Sequence, residues 1–163
     1  MKVPQIIQQK IYDLPGMRHQ LRRWRLLSKT IAFTNGCFDI LHQGHIASLS
    51  DAAREADILI VGLNSDASTR RLKGEQRPIN NQEARATVMA SLLMVDAVII
   101  FDEDTPLDLI KTVMPDVLVK GGDYTLEQIV GAKEVMEAGG RVVINPIVPG
   151  FSTTGIIDKI CRL

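Results

Sequence analysis

From Thr30 onward, short runs of Val, Ile and Leu alternate with longer mixed segments, and that alternation leaves few folds open. The apolar runs cover 30–34, 58–63, 96–101, 116–119 and 141–145. Helix-like segments at 44–56, 80–94, 105–114 and 125–138 fall between most of them. Strands that alternate with helices build βαβ units, and near-continuous apolar strands require cover on both faces of a parallel sheet. The expected fold is therefore α/β: a Rossmann-like, doubly wound sheet of about five parallel strands flanked by helices, over residues 30–163. Residues 1–29 place Ile6, Ile7, Ile11, Leu14, Leu21, Trp24, Leu26 and Leu27 among Gln, Lys and Arg. They read as an N-terminal helical extension of one or two amphipathic helices broken near Pro15-Gly16. Its apolar positions are expected to pack on the domain or on a second copy, which makes a homo-oligomer the expectation.

In such sheets ligands bind beyond the carboxyl ends of the strands. The segments in that position are 35–45, Asn64-Ser65-Asp66, Asp102-Glu103-Asp104, 120–123 and 149–154, and polar and glycine residues concentrate in them. The first is the most informative. Thr34-Asn35-Gly36-Cys37-Phe38-Asp39-Ile40-Leu41-His42-Gln43-Gly44-His45 joins an apolar strand to an amphipathic helix. His42 and His45, three residues apart, can share one helical face. Free N–H groups and the positive end of the helix dipole favour a phosphate there, and Gly36 and Gly44 let a ligand approach the backbone. A turn-capping His42 with a surface His45 is the plain alternative. A zinc site of Cys37, His42 and His45 lacks a fourth ligand.

Ser152-Thr153-Thr154 opens a short last helix on the same rim; capping accounts for one hydroxyl, and phosphate oxygens could use the others. Residues 68–77 group Arg70, Arg71, Lys73 and Arg77 around Gly74, either as a solvated surface loop or as a loop that closes over a polyphosphate, with Lys73 the preferred contact. Arg85 could pair on the surface or reach the rim. Lys120-Gly121-Gly122-Asp123 permits close backbone approach, and Asp123 could accept a hydrogen bond from a sugar or base; a plain turn competes. Neither a phosphate-binding Gly-x-x-x-x-Gly-Lys-Ser/Thr loop nor a Gly-x-Gly-x-x-Gly turn is present, which argues against a P-loop kinase and a dinucleotide dehydrogenase.

Composition limits the partners. Formal net charge is zero and aromatic residues make up only 4%, so neither nucleic acid nor an anionic membrane surface is indicated. No apolar run approaches a membrane span, the N-terminus lacks the apolar core of a signal peptide, and two cysteines imply no disulfide framework. A reducing cytoplasm is the expected location.

The segment 34–45 resembles the first signature of the nucleotidyltransferase superfamily that carries His-x-Gly-His, and Ser152-Thr153-Thr154 resembles its second. Asn64-Ser65-Asp66, Arg71-Leu72-Lys73-Gly74, Arg77-Pro78-Ile79-Asn80, Glu103-Asp104-Thr105-Pro106 and Pro115 to Tyr124 are similar to the adenylyltransferase branch of ADP-heptose synthesis. Pro149-Gly150-Phe151 departs from the basic and acidic-glycine pattern of related cytidylyltransferases.

The resemblance implies that ATP and D-glycero-β-D-manno-heptose 1-phosphate give ADP-heptose and pyrophosphate, with Mg2+ travelling on the nucleotide rather than held by the protein alone. In many members a sugar kinase is fused ahead of this domain; here a separate kinase is expected to supply the substrate. His42, His45 and Lys73 would be catalytic. Thr34, Asn35, Gly36, Cys37, Phe38, Gly44, Lys120, Gly121, Asp123, Ser152, Thr153 and Thr154 would bind the nucleotide. Asp39, Asn64, Asp66 and Arg85 would bind the sugar phosphate. The rivals are a cytidylyltransferase using CTP with glycerol 3-phosphate or phosphoethanolamine, and a module that binds nucleotide without turnover.

Overall fold

A computed structural model describes residues 4–122, 124–146 and 148–163. Five strands fall where the apolar runs lie: β2 (Ile31–Gly36), β3 (Ile58–Asn64), β4 (Ala97–Phe101), β5 (Val117–Gly121) and β6 (Arg141–Asn145). A sixth, β1 (Ile11–Tyr12), comes from the segment read as purely helical and pairs in parallel with β4 through Ile11–Val98 and Tyr12–Ile99. Two residues are too few to show a period of two in the sequence, so only the neighbouring strand reveals it. The sheet is parallel throughout, in the order β1-β4-β3-β2-β5-β6.

Alternate residues of the strands feed two separate cores. Ile31, Phe33, Ile60 and Ile99 face one side, where α2 (Leu14–Leu26), α6 (Leu107–Val113) and α7 (Ala132–Glu137) add Met17, Leu21, Trp24, Ile110 and Val135. Ala32, Leu59, Val61, Leu63 and Val98 face the other, covered by Leu49 and Ala52 of α3 (Gln43–Ala53) and Met89 of α5 (Gln82–Ala90). Burial on both faces explains why the strands read as continuous apolar runs. α1 (Ile6–Gln9) precedes β1. Pro15 and Gly16 do not break a helix: Asp13 caps α2 by accepting from Gly16 N at 2.8 Å, and proline fits a first helical turn because the N–H it lacks has no partner there.

Two further expectations change. Residues 66–73 form a helix, α4 (Asp66–Lys73), instead of part of a basic loop, with Ser65 capping Ser68 N at 2.9 Å. The segment 125–138 is divided into a 3-10 turn (Leu126–Gln128) and α7. Gly131 separates them at φ +84°, where a Cβ would stand 2.8 Å from Ile110. α8 (Thr153–Ile160) is the short last helix.

The strand order places the topological switch between β2 and β5, because β3 and β4 are laid to one side of β2 while β5 and β6 go to the other. β2 and β3 stay in register over six residues, from Ile31 to Gly36, whereas β2 and β5 pair only at Ala32–Val117 and Phe33–Leu118. Beyond Phe33 the two strands are no longer paired, and this is where a sheet of this topology is expected to offer a crevice.

Candidate active site

Two helix N-termini meet above that crevice. His42 occupies the N-cap of α3 in extended conformation without using its side chain as a cap, and His45 follows in the first turn. The imidazoles stack with centroids 3.8 Å apart and planes inclined by 20°. The Phe38 ring meets His45 edge-on at 5.3 Å, and Phe151, just ahead of α8, stacks on His42 at 6.3 Å. A Cβ on Gly44 would lie 3.1 Å from the His42 ring and 3.2 Å from Phe151 Cβ, so glycine is what lets these rings close over the helix start.

Thr153 Oγ1 donates to Ile40 O at 3.3 Å and ties α8 to the loop ahead of the histidines. Ser152 Oγ caps α8 by accepting from Gly155 N at 2.9 Å, while Thr154 is exposed. The structure thus brings both signatures together through contacts at residues 40, 42, 44, 151 and 153.

Both histidine Nδ1 atoms are buried without a hydrogen-bond partner among the described residues. Buried nitrogens of this kind are costly and point to a group that completes them. Burial, reinforced by the charge of His42, lowers the His45 pKa to about 4, and burial also lowers that of His42. Near pH 7 the pair is therefore neutral, each ring carrying one N–H donor. Among the described residues no group of three or more His, Cys, Asp or Glu side chains is assembled for a metal ion.

Across the crevice, Lys120 Nζ donates to Asn35 Oδ1 at 3.4 Å and lies 5.6 Å from the centroid of the Tyr124 ring. Burial pushes its pKa down; the neighbouring Cys37 works against that shift, and the charge of Lys73 adds to it. Lys73 itself is the last residue of α4. Of the expected basic loop, Arg71 is tied to Asp104 at 2.6 Å and to Asp102 O, and Arg77 to Asp39 at 2.7 Å. Arg70 and Lys73 form no ion pair among the described residues. Thr34 is buried in β2, Asn35, Gly36, Cys37 and Phe38 are half-buried, and Gly121 at the end of β5 is exposed. Asp123 lies outside the described residues.

The four residues expected at the sugar phosphate are placed otherwise. The Arg85 side chain is 0% exposed, and its guanidinium donates to Asn80 O at 3.0 Å, Cys37 O at 2.6 Å, Asn64 O at 2.8 Å and Asp66 Oδ1 at 2.7 Å. Four of its five N–H groups are thus committed within the protein. The Asp39 carboxylate is also 0% exposed and accepts from Arg77, from Ile79 N at 2.8 Å and from Asn80 N at 2.9 Å. Burial favours its neutral form, but the Asn80 and Ile79 N–H groups and Arg77 outweigh that and hold its pKa below the usual range. Asn64 donates to Ser68 Oγ at 3.0 Å, and Asp66 faces Arg85. These side chains bond to one another and to nearby backbone rather than standing free at the rim, although Asp66 keeps 25% of its side chain exposed.

Phe151 and Tyr124 were not singled out as site residues. A signal existed for Phe151, an aromatic in an aromatic-poor chain immediately before Ser152-Thr153-Thr154.

This parallel sheet, with its crevice at the switch point and two helix N-termini above it, is that of a nucleotidyltransferase. Residues 33–159 match the cytidylyltransferase-like family, and the chain belongs to that family. It is 59% identical over 149 residues to the bifunctional protein HldE of Hyphomonas neptunium, covering 91% of this chain and 31% of that protein. It is 58% identical over 140 residues to the HldE of Rhodopseudomonas palustris, covering 86% of this chain and 29% of the relative. The chain thus spans under a third of these relatives. Among solved structures, a lipopolysaccharide core biosynthesis protein from Thermoplasma volcanium superposes with a TM-score of 0.59 at 29% identity, over 74% of this chain and 97% of that one. A pantoate-beta-alanine ligase from Francisella tularensis shares the fold at a TM-score of 0.60 and 16% identity, over 94% of this chain and 78% of that one. No helix among the described residues is long and apolar enough to cross a membrane.

Proposed function

We propose that this nucleotidyltransferase joins ATP to D-glycero-β-D-manno-heptose 1-phosphate, giving ADP-heptose and pyrophosphate. The supporting observation is the meeting of the two signatures, His42 to His45 and Ser152 to Thr154, at the switch point of a chain 53–59% identical to HldE proteins. The similarity of residues 71–74, 77–80 and 115–124 to the heptose branch supplies the choice of substrates.

A phosphate monoester is already anionic at neutral pH, so its oxygen attacks the α-phosphorus of ATP without a general base. The bond between the α- and β-phosphates breaks, and pyrophosphate leaves. Catalysis is then positioning and charge stabilisation. Neutral His42 and His45 each offer an N–H donor to the α-phosphate and the departing oxygens. Lys120 and Lys73 supply positive charge across the crevice, and the hydroxyls and N–H groups at the start of α8 receive the outer phosphates. Mg2+ would enter with the nucleotide and neutralise phosphate charge, since the Asp39 and Asp66 carboxylates already have protein partners. A sugar kinase activity would supply the heptose phosphate.

The test is pyrophosphate release with each nucleoside triphosphate against β-heptose 1-phosphate, glycerol 3-phosphate and phosphoethanolamine. Turnover by ATP with the heptose phosphate is expected, with His42→Ala and His45→Ala each lowering kcat on the order of 10²–10³-fold, the scale for one preorganised donor. Turnover by CTP with glycerol 3-phosphate or phosphoethanolamine would refute the substrate assignment, and near-normal turnover by His45→Ala would refute the role of the pair.

A further inference from the structure

We infer that Arg85 is a positioning residue: its buried guanidinium sets the spacing between the two halves of the phosphate site, the histidine loop and the helix that carries Lys73. Three segments converge on it. Cys37 O belongs to the loop that runs from β2 to His42. Asn64 O and Asp66 belong to the junction of β3 and α4, whose last residue is Lys73. Asn80 O belongs to the connection from α4 to α5. Asp39 closes the circuit from below: it accepts from Ile79 N, Asn80 N and Arg77, while Asn80 Nδ2 donates to Asp39 O at 2.9 Å.

The β2–β3 ladder ends at Gly36 and Leu63, one residue short of Cys37 and Asn64; past that point Arg85 bonds to all three segments, while Asp39 joins only two of them. Lysine would keep the charge but could not meet four acceptors lying in different directions. A guanidinium that served a substrate phosphate instead would have to be exposed, and this one is not.

The test uses the intact chain with Arg85→Lys and Asp66→Asn, both checked for folding by circular dichroism. Asp66→Asn removes one partner only and gives a folded variant if Arg85→Lys does not fold. Amide hydrogen exchange in the absence of ligand reads the spacing directly. Residues 37–41, 65–66 and 79–81 should exchange about tenfold faster or more, while β2 and β3 keep their protection. Unchanged exchange in those segments would overturn the inference whatever the substrate is.

The kinetic arm rests on the reading given under Proposed function. With ATP and heptose 1-phosphate, kcat should fall on the order of 10²-fold, the cost of an ångström-scale displacement, while the KM for the sugar phosphate stays nearly constant. A sugar-phosphate KM raised on the order of 10²-fold at unchanged kcat would make Arg85 a substrate contact and overturn the proposal. If the wild-type chain does not turn over the heptose phosphate, the substrate reading fails while the exchange measurement still decides the role of Arg85.

Discussion

His45 shows how burial at a site becomes a measurable property of the whole fold. In the unfolded chain its pKa is that of an ordinary histidine, 6.5, and in the folded protein it is about 4. Between these values the unfolded state binds a proton that the folded state refuses. The stabilisation is complete above about pH 6.5 and is lost as pH falls toward 4. Urea midpoints for wild type and His45→Gln at pH 7 and pH 5 test this. The wild type should lose more stability between the two pH values than the variant does; equal losses would contradict a neutral, buried His45. At this scale the sequence was informative where chemistry depends on local spacing. The histidines lie three residues apart, so their meeting could be foreseen. Arg85 and Cys37 are 48 residues apart and Asp39 and Arg77 are 38 apart. No local pattern marks such pairs, and a conspicuous arginine or aspartate on the rim reads naturally as a ligand contact until its partners are seen.

Helix α4 escaped the reading because it does not bury an apolar stripe. Its buried residues are Ser68 and Thr69, and its apolar Leu72 is 49% exposed. It stands on polar interactions instead: the Ser65 cap, Ser68 Oγ between Asn64 and Glu103 O, and Arg71 on Asp104. Hydrophobic periodicity carries no trace of a helix held in this way. The consequence for function is that Lys73 projects from a helix end of fixed direction rather than from a closing loop. Lys73→Ala should therefore leave circular dichroism and thermal stability unchanged and raise the KM for ATP roughly tenfold, the loss of one charge-assisted contact. An unchanged KM would remove Lys73 from the phosphate site. The mixed segment 125–138 failed for a second reason: its apolar spacing is helical, but Gly131 at positive φ divides it.

For the molecule as a whole, the parallel sheet was legible because double-sided burial writes itself into the strands as continuous Val, Ile and Leu. Packing of the N-terminal segment on the domain was one of the two arrangements its apolar positions allowed; its strand was not legible. β1 has two residues, and α2 presents Met17, Leu21 and Trp24 to the same core that holds Phe33 and Ile60, while Leu26 and Leu27 stay exposed. Met17 is 0% exposed, so Met17→Ala should cost about 2–5 kcal/mol in a denaturant titration; a loss below about 0.5 kcal/mol would mean that this helix is an appendage. Two elements outside the sheet are equally part of one design, since α3 and α8 bring the two signatures together over the crevice.

In the proposed reaction the adenylyl group of ATP passes to a sugar phosphate at that site. This transfer is tested most directly by following two labels through one reaction with heptose 1-phosphate, one on the α-phosphate of ATP and one on the γ-phosphate. The α-label should appear in the sugar nucleotide and the γ-label in pyrophosphate. A γ-label on the sugar, or both labels recovered in ATP, would contradict it.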